Sequence, residues 1–306
     1  GRLKARTADL GGDVHADGTL TIETDDRLAA KNITAGGNAT LNAGAELSAK
    51  NVNVGGNADI TAGTNLAAND VSVGGNLNAK AKNITVSNVG AGSNATLNAE
   101  TVLTAQHISV GGSLNAKAVN MKAHDIKADG AATLNAGAEL SAKNVNVGGN
   151  ADITAGTNLA ANDVSVGGNL NAKAKNITVS NVGAGSNATL NAETALTAQN
   201  ISAGADLNAK AVNITAQNIT TGGNTTLKAG ADLTANNVTA GGNLNATAKN
   251  ITVSNVTGKG NVDLTAGQNA KLGGKTDVGE TLTANVGKDF VTNGAVTTGK
   301  ELIANV

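Results

Sequence analysis

The chain has 306 residues, with no Cys, Pro, Trp or Tyr, one Phe (Phe290), one Met (Met121), 40 Gly, 15% charged residues and a formal net charge of −1. That composition excludes a disulfide scaffold, a thiolate zinc centre, a Pro-rich linker and collagen. Lacking aromatics and a basic balance, it also excludes base-stacking platforms and the electrostatic footprint of a nucleic-acid or anionic-membrane binder.

Residues 1–30 open the chain with alternating apolar and polar positions but no close internal copy. They lack the apolar region of a signal peptide, and nowhere does an apolar run approach the ~18 residues that span a bilayer. Residues 31–256 are closely repetitive. Leu41, Leu47 and Val52 are followed by Ile60, Leu66 and Val71, then by Leu77, Ile84 and Val89. The series continues with Leu97, Leu103 and Ile108, then Leu114, Val119 and Ile126, and restarts at Leu134. Residues 39–105 and 132–198 are the same sequence at an offset of 93, except that Val102 becomes Ala195. A diverged third copy begins at Thr225 and drops one short block without losing the pattern. That block is the structural quantum, and it is a fraction of the long repeat. Residues 257–306 keep the alternation but lose the close copying, and read as diverged coils like residues 1–30. Neither end shows a polar cap, as expected of a segment of a longer solenoid.

Within each anchor segment, such as ATLNA, ADITA and ITV, the period is two, which is the period of a strand with one buried face. The β-branched, Asn and Gly content opposes a helical reading. GGN recurs between segments, at Gly36, Gly55 and Gly74 among others. It is read as a turn in which Gly and Asn supply positive φ. Three short strands per quantum predict an all-β fold, a parallel β-helix (solenoid) of about 16 coils of about 19 residues, continuous over 1–306. Proline would break the ladder between coils. Stacked side chains of matching size would leave no room for large aromatics. The asparagines of the AKN segments, Asn32, Asn51, Asn83, Asn144, Asn176 and Asn250, are expected to form a structural ladder or turn, their amides bonding up the stack.

Runs such as GGNATLNAGAELSAKNVNVGGNADITAGTNLAAND and GGNLNAKAKNITVSNV resemble the repeats of filamentous haemagglutinin-type exoproteins of Gram-negative bacteria, over essentially the whole chain. The resemblance implies a right-handed β-helix and a secreted or cell-surface location. It also implies export through an outer-membrane two-partner-secretion transporter, and a role as adhesive shaft or as stalk of a contact-dependent inhibition toxin. The partner would be a host or bacterial cell-surface receptor or glycan. A self-stacking extracellular filament is a further alternative.

No motif for catalysis, cofactor or metal emerges. His107 and His124 stand where the other copy has Asn200 and Gln217, so they and His15 are read as solvated surface or turn residues. Carboxylates are duplicated along the chain, as Glu46 with Glu139 and Glu100 with Glu193, whereas a glycosidase needs one asymmetric cluster. Asp25 and Asp26 are adjacent and, on a strand, would face opposite ways. GGDVHADGT at Gly11 lacks the glycines of a calcium repeat and occurs once. No GxxxxGK[ST] accompanies the GGN turns. N-x-[ST] sequons at Asn32, Asn38, Asn83, Asn94, Asn176 and Asn187 follow from Asn turns preceding Thr-rich strands. Lys80, Lys82, Lys173 and Lys175, in the repeated AKAK, are the candidate surface contacts, a weak basic stripe suited to acidic glycans. The sequence therefore predicts no enzyme, no nucleic-acid partner and no membrane insertion.

Overall fold

The computed structural model describes residues 1–306. It is all-β, with 28 strands and no helix, wound as a parallel β-solenoid of about 16 turns of ~19 residues. The chain divides into two compact units, Gly1–Asp152 and Ile153–Val306.

One coil of the first unit shows why these residues fold this way. Its first face is Ala58–Ala62, where Ala58, Ile60 and Ala62 point inward and are buried. A corner follows at residues 63–65. The second face then buries Leu66 and Ala68. Asp70, at φ 54°, turns the chain, and the third face buries Val71 and Val73. The turn Gly74-Gly75-Asn76 closes the coil. The second and third faces form one strand across the bend, here Asn65–Val73. In six places all three faces merge into strands of 15–17 residues, such as Leu77–Ala91 and Ala95–Val110.

Each face pairs in parallel with its equivalent one coil on. In the first unit, Leu47 pairs with Leu66 and Leu66 with Ile84; Leu103 pairs with Met121 and Met121 with Leu140. The third face stacks Val52, Val71 and Val89 in the same way. These two columns hold large aliphatics over most of the chain, with Ala8 and Ala270 in the first and Thr276 in the second. The only methionine occupies the leucine column and is 2% exposed, whereas Val119, expected from the sequence to be the anchor of that coil, is 42% exposed at the corner. The two-residue corner of that coil, Val119-Asn120, shifts the phase and makes Met121 the inward residue.

The first face departs from the expectation of matched sizes. Leu77 pairs with Ala95, Ala95 with Leu114 and Leu114 with Ala132, while two residues on Ala79 pairs with Leu97, Leu97 with Ala116 and Ala116 with Leu134. The second unit repeats this alternation. Leu170, Ala188 and Leu207 form one column, and Ala172, Leu190 and Ala209 the other. Placing Leu against Ala lets the side chains of adjacent coils interdigitate at constant volume. In the repeated coils the corner length follows the same alternation, although Leu20–Thr24 and Leu282–Val286 are followed by three residues. A repeated first face that begins with Leu, such as Leu77–Ala81, is followed by two corner residues, Lys82 and Asn83. One that begins with Ala, such as Ala95–Ala99, is followed by three, residues 100–102. The pairing shifts register at these points, between Ala99 and Val102 and between Ala174 and Asn176.

The glycine turns have a different cause from the one the sequence suggests. The glycines of GGN do not take positive φ; Gly274 is the one glycine that does. A Cβ on Gly55 would collide with the carbonyl oxygen of Gly36, and one on Gly74 with that of Gly55. Glycine is required because successive turns stack backbone on backbone. Positive φ falls instead on twelve non-glycine residues, Asn, Asp or His, at φ 52–55°. They make the bend between the second and third faces, where a short polar side chain tolerates the left-handed region.

Candidate functional site

Every outward position is a column with one residue per coil, so the surface is read column by column. At the bend of the first unit, Asn51 donates its side-chain amide to Asn32 Oδ1 (2.8 Å), and Asn32 donates to Asp13 Oδ1 (2.6 Å). Asn144 donates to Asp125 Oδ1 at 2.8 Å in the same column. Asn83, Asn176 and Asn250 do not belong to it. They lie at the corner between the first and second faces, donating to Asn65 Oδ1 (3.0 Å), Asn158 Oδ1 (3.1 Å) and Asp232 Oδ1 (2.9 Å). The six AKN asparagines therefore divide into two columns, because AKN precedes the second face in the shorter coils and ends it in the longer ones. The bend column of the second unit carries the same bonds through Asn200 to Asn181 and Asn218 to Asn200, both 2.8 Å.

A third column, at the GGN turn, forms a ladder where the sequence suggests only turns. Here the side-chain oxygen accepts from the backbone N–H of the residue one coil on. Asn57 N donates to Asn38 Oδ1 (2.9 Å), Asn76 N to Asn57 Oδ1 (2.8 Å) and Asn94 N to Asn76 Oδ1 (3.0 Å). In the second unit, Asn243 N donates to Asn224 Oδ1 and Asn261 N to Asn243 Oδ1, both 2.8 Å. The sequon asparagines Asn38 and Asn94 sit in this column. The recurrence of GGN at fixed spacing is its sequence signal.

Of the candidate lysines, Lys80 is outward on the first face, between Thr61 and Asn98. The same column continues from Asn98 to Lys117, a basic residue that the AKAK pattern does not single out. Lys82 lies at the corner and leaves that column. In the second unit, Lys173 starts a column that runs through Asn191, Lys210 and Lys228, and Lys175 is again at the corner. All seven lysines are exposed. Around Lys173, Lys210 and Lys228, the outward first-face neighbours are Asn and Thr, with no carboxylate between residues 170 and 229 on that face.

Histidines and carboxylates meet in one place. His107 occupies the bend column at φ 52°, and Asp125 follows it one coil on. His107 Nδ1 is 3.1 Å from Asp125 Oδ2, and His124 Nε2 is 3.4 Å from Asp125 Oδ1. The imidazole centroids are 6.3 Å apart. Donation from Asn144 holds the Asp125 carboxyl below the usual carboxylate range; partial desolvation opposes it, and the charges of His124, His107 and Lys143 add to the lowering. His15 is distant and pairs with Asp17, Nε2 to Oδ1 at 2.9 Å. Asp25 and Asp26 lie at the corner between Leu20–Thr24 and Leu28–Ala35 rather than on a strand. No group of three or more His, Asp or Glu side chains converges as a ready metal cage.

No protein-family model matches the chain, and comparison with curated proteins and with solved structures returned no match either.

Proposed function

We propose that this chain is a structural and adhesive shaft segment of a large bacterial exoprotein of the filamentous haemagglutinin type, secreted or displayed at the cell surface, and not an enzyme. One observation carries the reading: its outward surface is built of short polar columns that recur coil after coil. Such a surface suits weak contacts made many times over, since repeated sites on one scaffold multiply avidity without any strong single site. The first-face lysines, Lys80 with Lys117 and Lys173 with Lys210 and Lys228, are the contacts offered to an acidic cell-surface glycan or receptor. Export by a two-partner-secretion transporter rests on the repeat resemblance.

The test is binding of the purified chain to host cells, bacterial cells and a sulfated-glycan panel, at low and physiological salt. Saturable binding that weakens with salt, and falls several-fold in the Lys→Gln variant at these five positions, is the expected result. Absence of binding to all three would overturn the adhesive role. It would leave the chain as a spacer, as in the stalk of a contact-dependent toxin.

A further inference from the structure

We infer that His107 and His124 form a two-imidazole chelating site for a divalent transition-metal ion, beside the Asp125 carboxylate. The close copying of the chain fails at this point. Residues 39–105 and 132–198 differ at a single position, yet the next coils place His107, His124 and Asp125 where the other copy has Asn200, Gln217 and Asn218. Three of the differences between residues 106–131 and 199–224, separated by up to a full coil in sequence, land against one another in space. Nothing in the fold asks for them, because the equivalent coils of the second unit build this stretch of the bend column from amides.

Both imidazoles lie against the Asp125 carboxylate, at 3.1 Å and 3.4 Å, and Asn144 donates to that carboxylate from the next coil. A neutral imidazole keeps one nitrogen lone pair, so each ring can offer one donor to an ion. Two imidazoles that share one ion through bonds of about 2.0–2.1 Å have centroids no more than about 6.4 Å apart. The observed 6.3 Å sits at the collinear end of that range, so the rings must turn toward each other to share an ion at a tetrahedral or cis angle. The side chains are 50% and 41% exposed, so closing on an ion needs only side-chain torsion, and water completes the coordination.

Charge selects the ion. Lys143 pairs with His124 one coil on and offsets the Asp125 carboxylate. Affinity therefore comes from imidazole nitrogen and not from net negative charge. Nitrogen donors suit Cu²⁺, Ni²⁺ and Zn²⁺, whereas Ca²⁺ and Mg²⁺ require oxygen cages.

The experiment is calorimetric titration of the whole chain with Cu²⁺, Zn²⁺ and Ca²⁺ near neutral pH, with imidazole NMR signals followed in parallel. The expected result is one equivalent of Cu²⁺ or Zn²⁺ bound, perturbation of His107 and His124 but not His15, and no response to Ca²⁺. The control is the His107→Asn/His124→Gln double variant. It installs the residues found in the other copy and so keeps the fold, and it should abolish the stoichiometric site. Stoichiometric binding that survives in the double variant, or the absence of such binding in the parent chain, would overturn the proposal.

Discussion

A single backbone angle repeated once per coil turns the second face into the third, and its cost falls on one residue. At Asn51, φ is 53°. A residue with an ordinary Cβ pays about 1–2 kcal/mol in that region, so Asn51→Ala should lower unfolding stability by about that amount, while Asn51→Gly loses only the amide bond to Asn32. Chemical denaturation of the two variants side by side separates backbone strain from hydrogen bonding. Glycine obeys a different rule at the turns. Gly74→Ala would drive a Cβ into the carbonyl of Gly55, whereas a Cβ on Gly183 meets nothing within 4 Å. Gly183 stands in a strand between Ser165 and Ser202, and a strand interior prefers alanine over glycine by about 0.5–1 kcal/mol. Gly183→Ala should therefore stabilise the chain and Gly74→Ala destabilise it, in the same assay. Donation from Asn144 holds the Asp125 carboxyl low. Its folded pKa lies below the unfolded value, so the stabilisation is fully present above about pH 4 and is lost as pH falls through the depressed value. A carboxyl-carbon NMR titration with its midpoint at the ordinary value of about 3.9 would contradict this.

At the scale of the coil, packing depends on which residue lies above which. Ala79 is held between Ile60 and Leu97. Ala79→Leu overfills that stack and should cost about 1–3 kcal/mol, and Leu97→Ala, which opens a cavity, about 2–5 kcal/mol. Met121→Ser should destabilise strongly and Val119→Ser hardly at all, since the first is buried and the second is at the corner. This last pair also shows how far the sequence could be read. Alternation at ATLNA or ITV defines strands with one buried face, and copying at a short, nearly constant interval defines coils stacked in parallel. Neither signal says which apolar residue of KAVNMKA faces inward. That depends on whether the corner has two or three residues, and the corner length is visible only once Ala118 and Met121 are both known to be buried. The same slip merged Asn51 and Asn83 into one group. The three-letter context is identical, but its position along the coil differs by one corner. The histidine cluster was out of reach for another reason. His107 and Asp125 lie a whole coil apart in sequence and meet only through the pairing of their coils, which places Gln106 beside His124 and Ile108 beside Ile126.

For the whole molecule, the division of labour between core and surface decides how it responds to its surroundings. The buried polar residues are Thr24, Thr221, Thr225 and Thr276, none of which titrates. The columns that tie coil to coil use Asn amides, backbone groups and carboxylates such as Asp13 and Asp232, and ion pairs such as Lys275–Asp277 (2.7 Å) and Lys300–Glu280 (3.2 Å) are partly or largely exposed. Exposed pairs contribute about 0–1 kcal/mol and weaken further with salt. Stability should therefore change little between about 10 mM and about 500 mM salt. Thermal unfolding across that range is the check, and a drop of more than a few degrees at high salt would mean that the ion pairs stabilise the coils after all. The flat profile also bears on function. If the lysine columns hold an acidic glycan, binding must weaken steeply over the same salt range while the melting temperature stays constant. A fall in binding without a fall in stability assigns the salt dependence to the lysine contacts, and parallel losses would assign it to the fold.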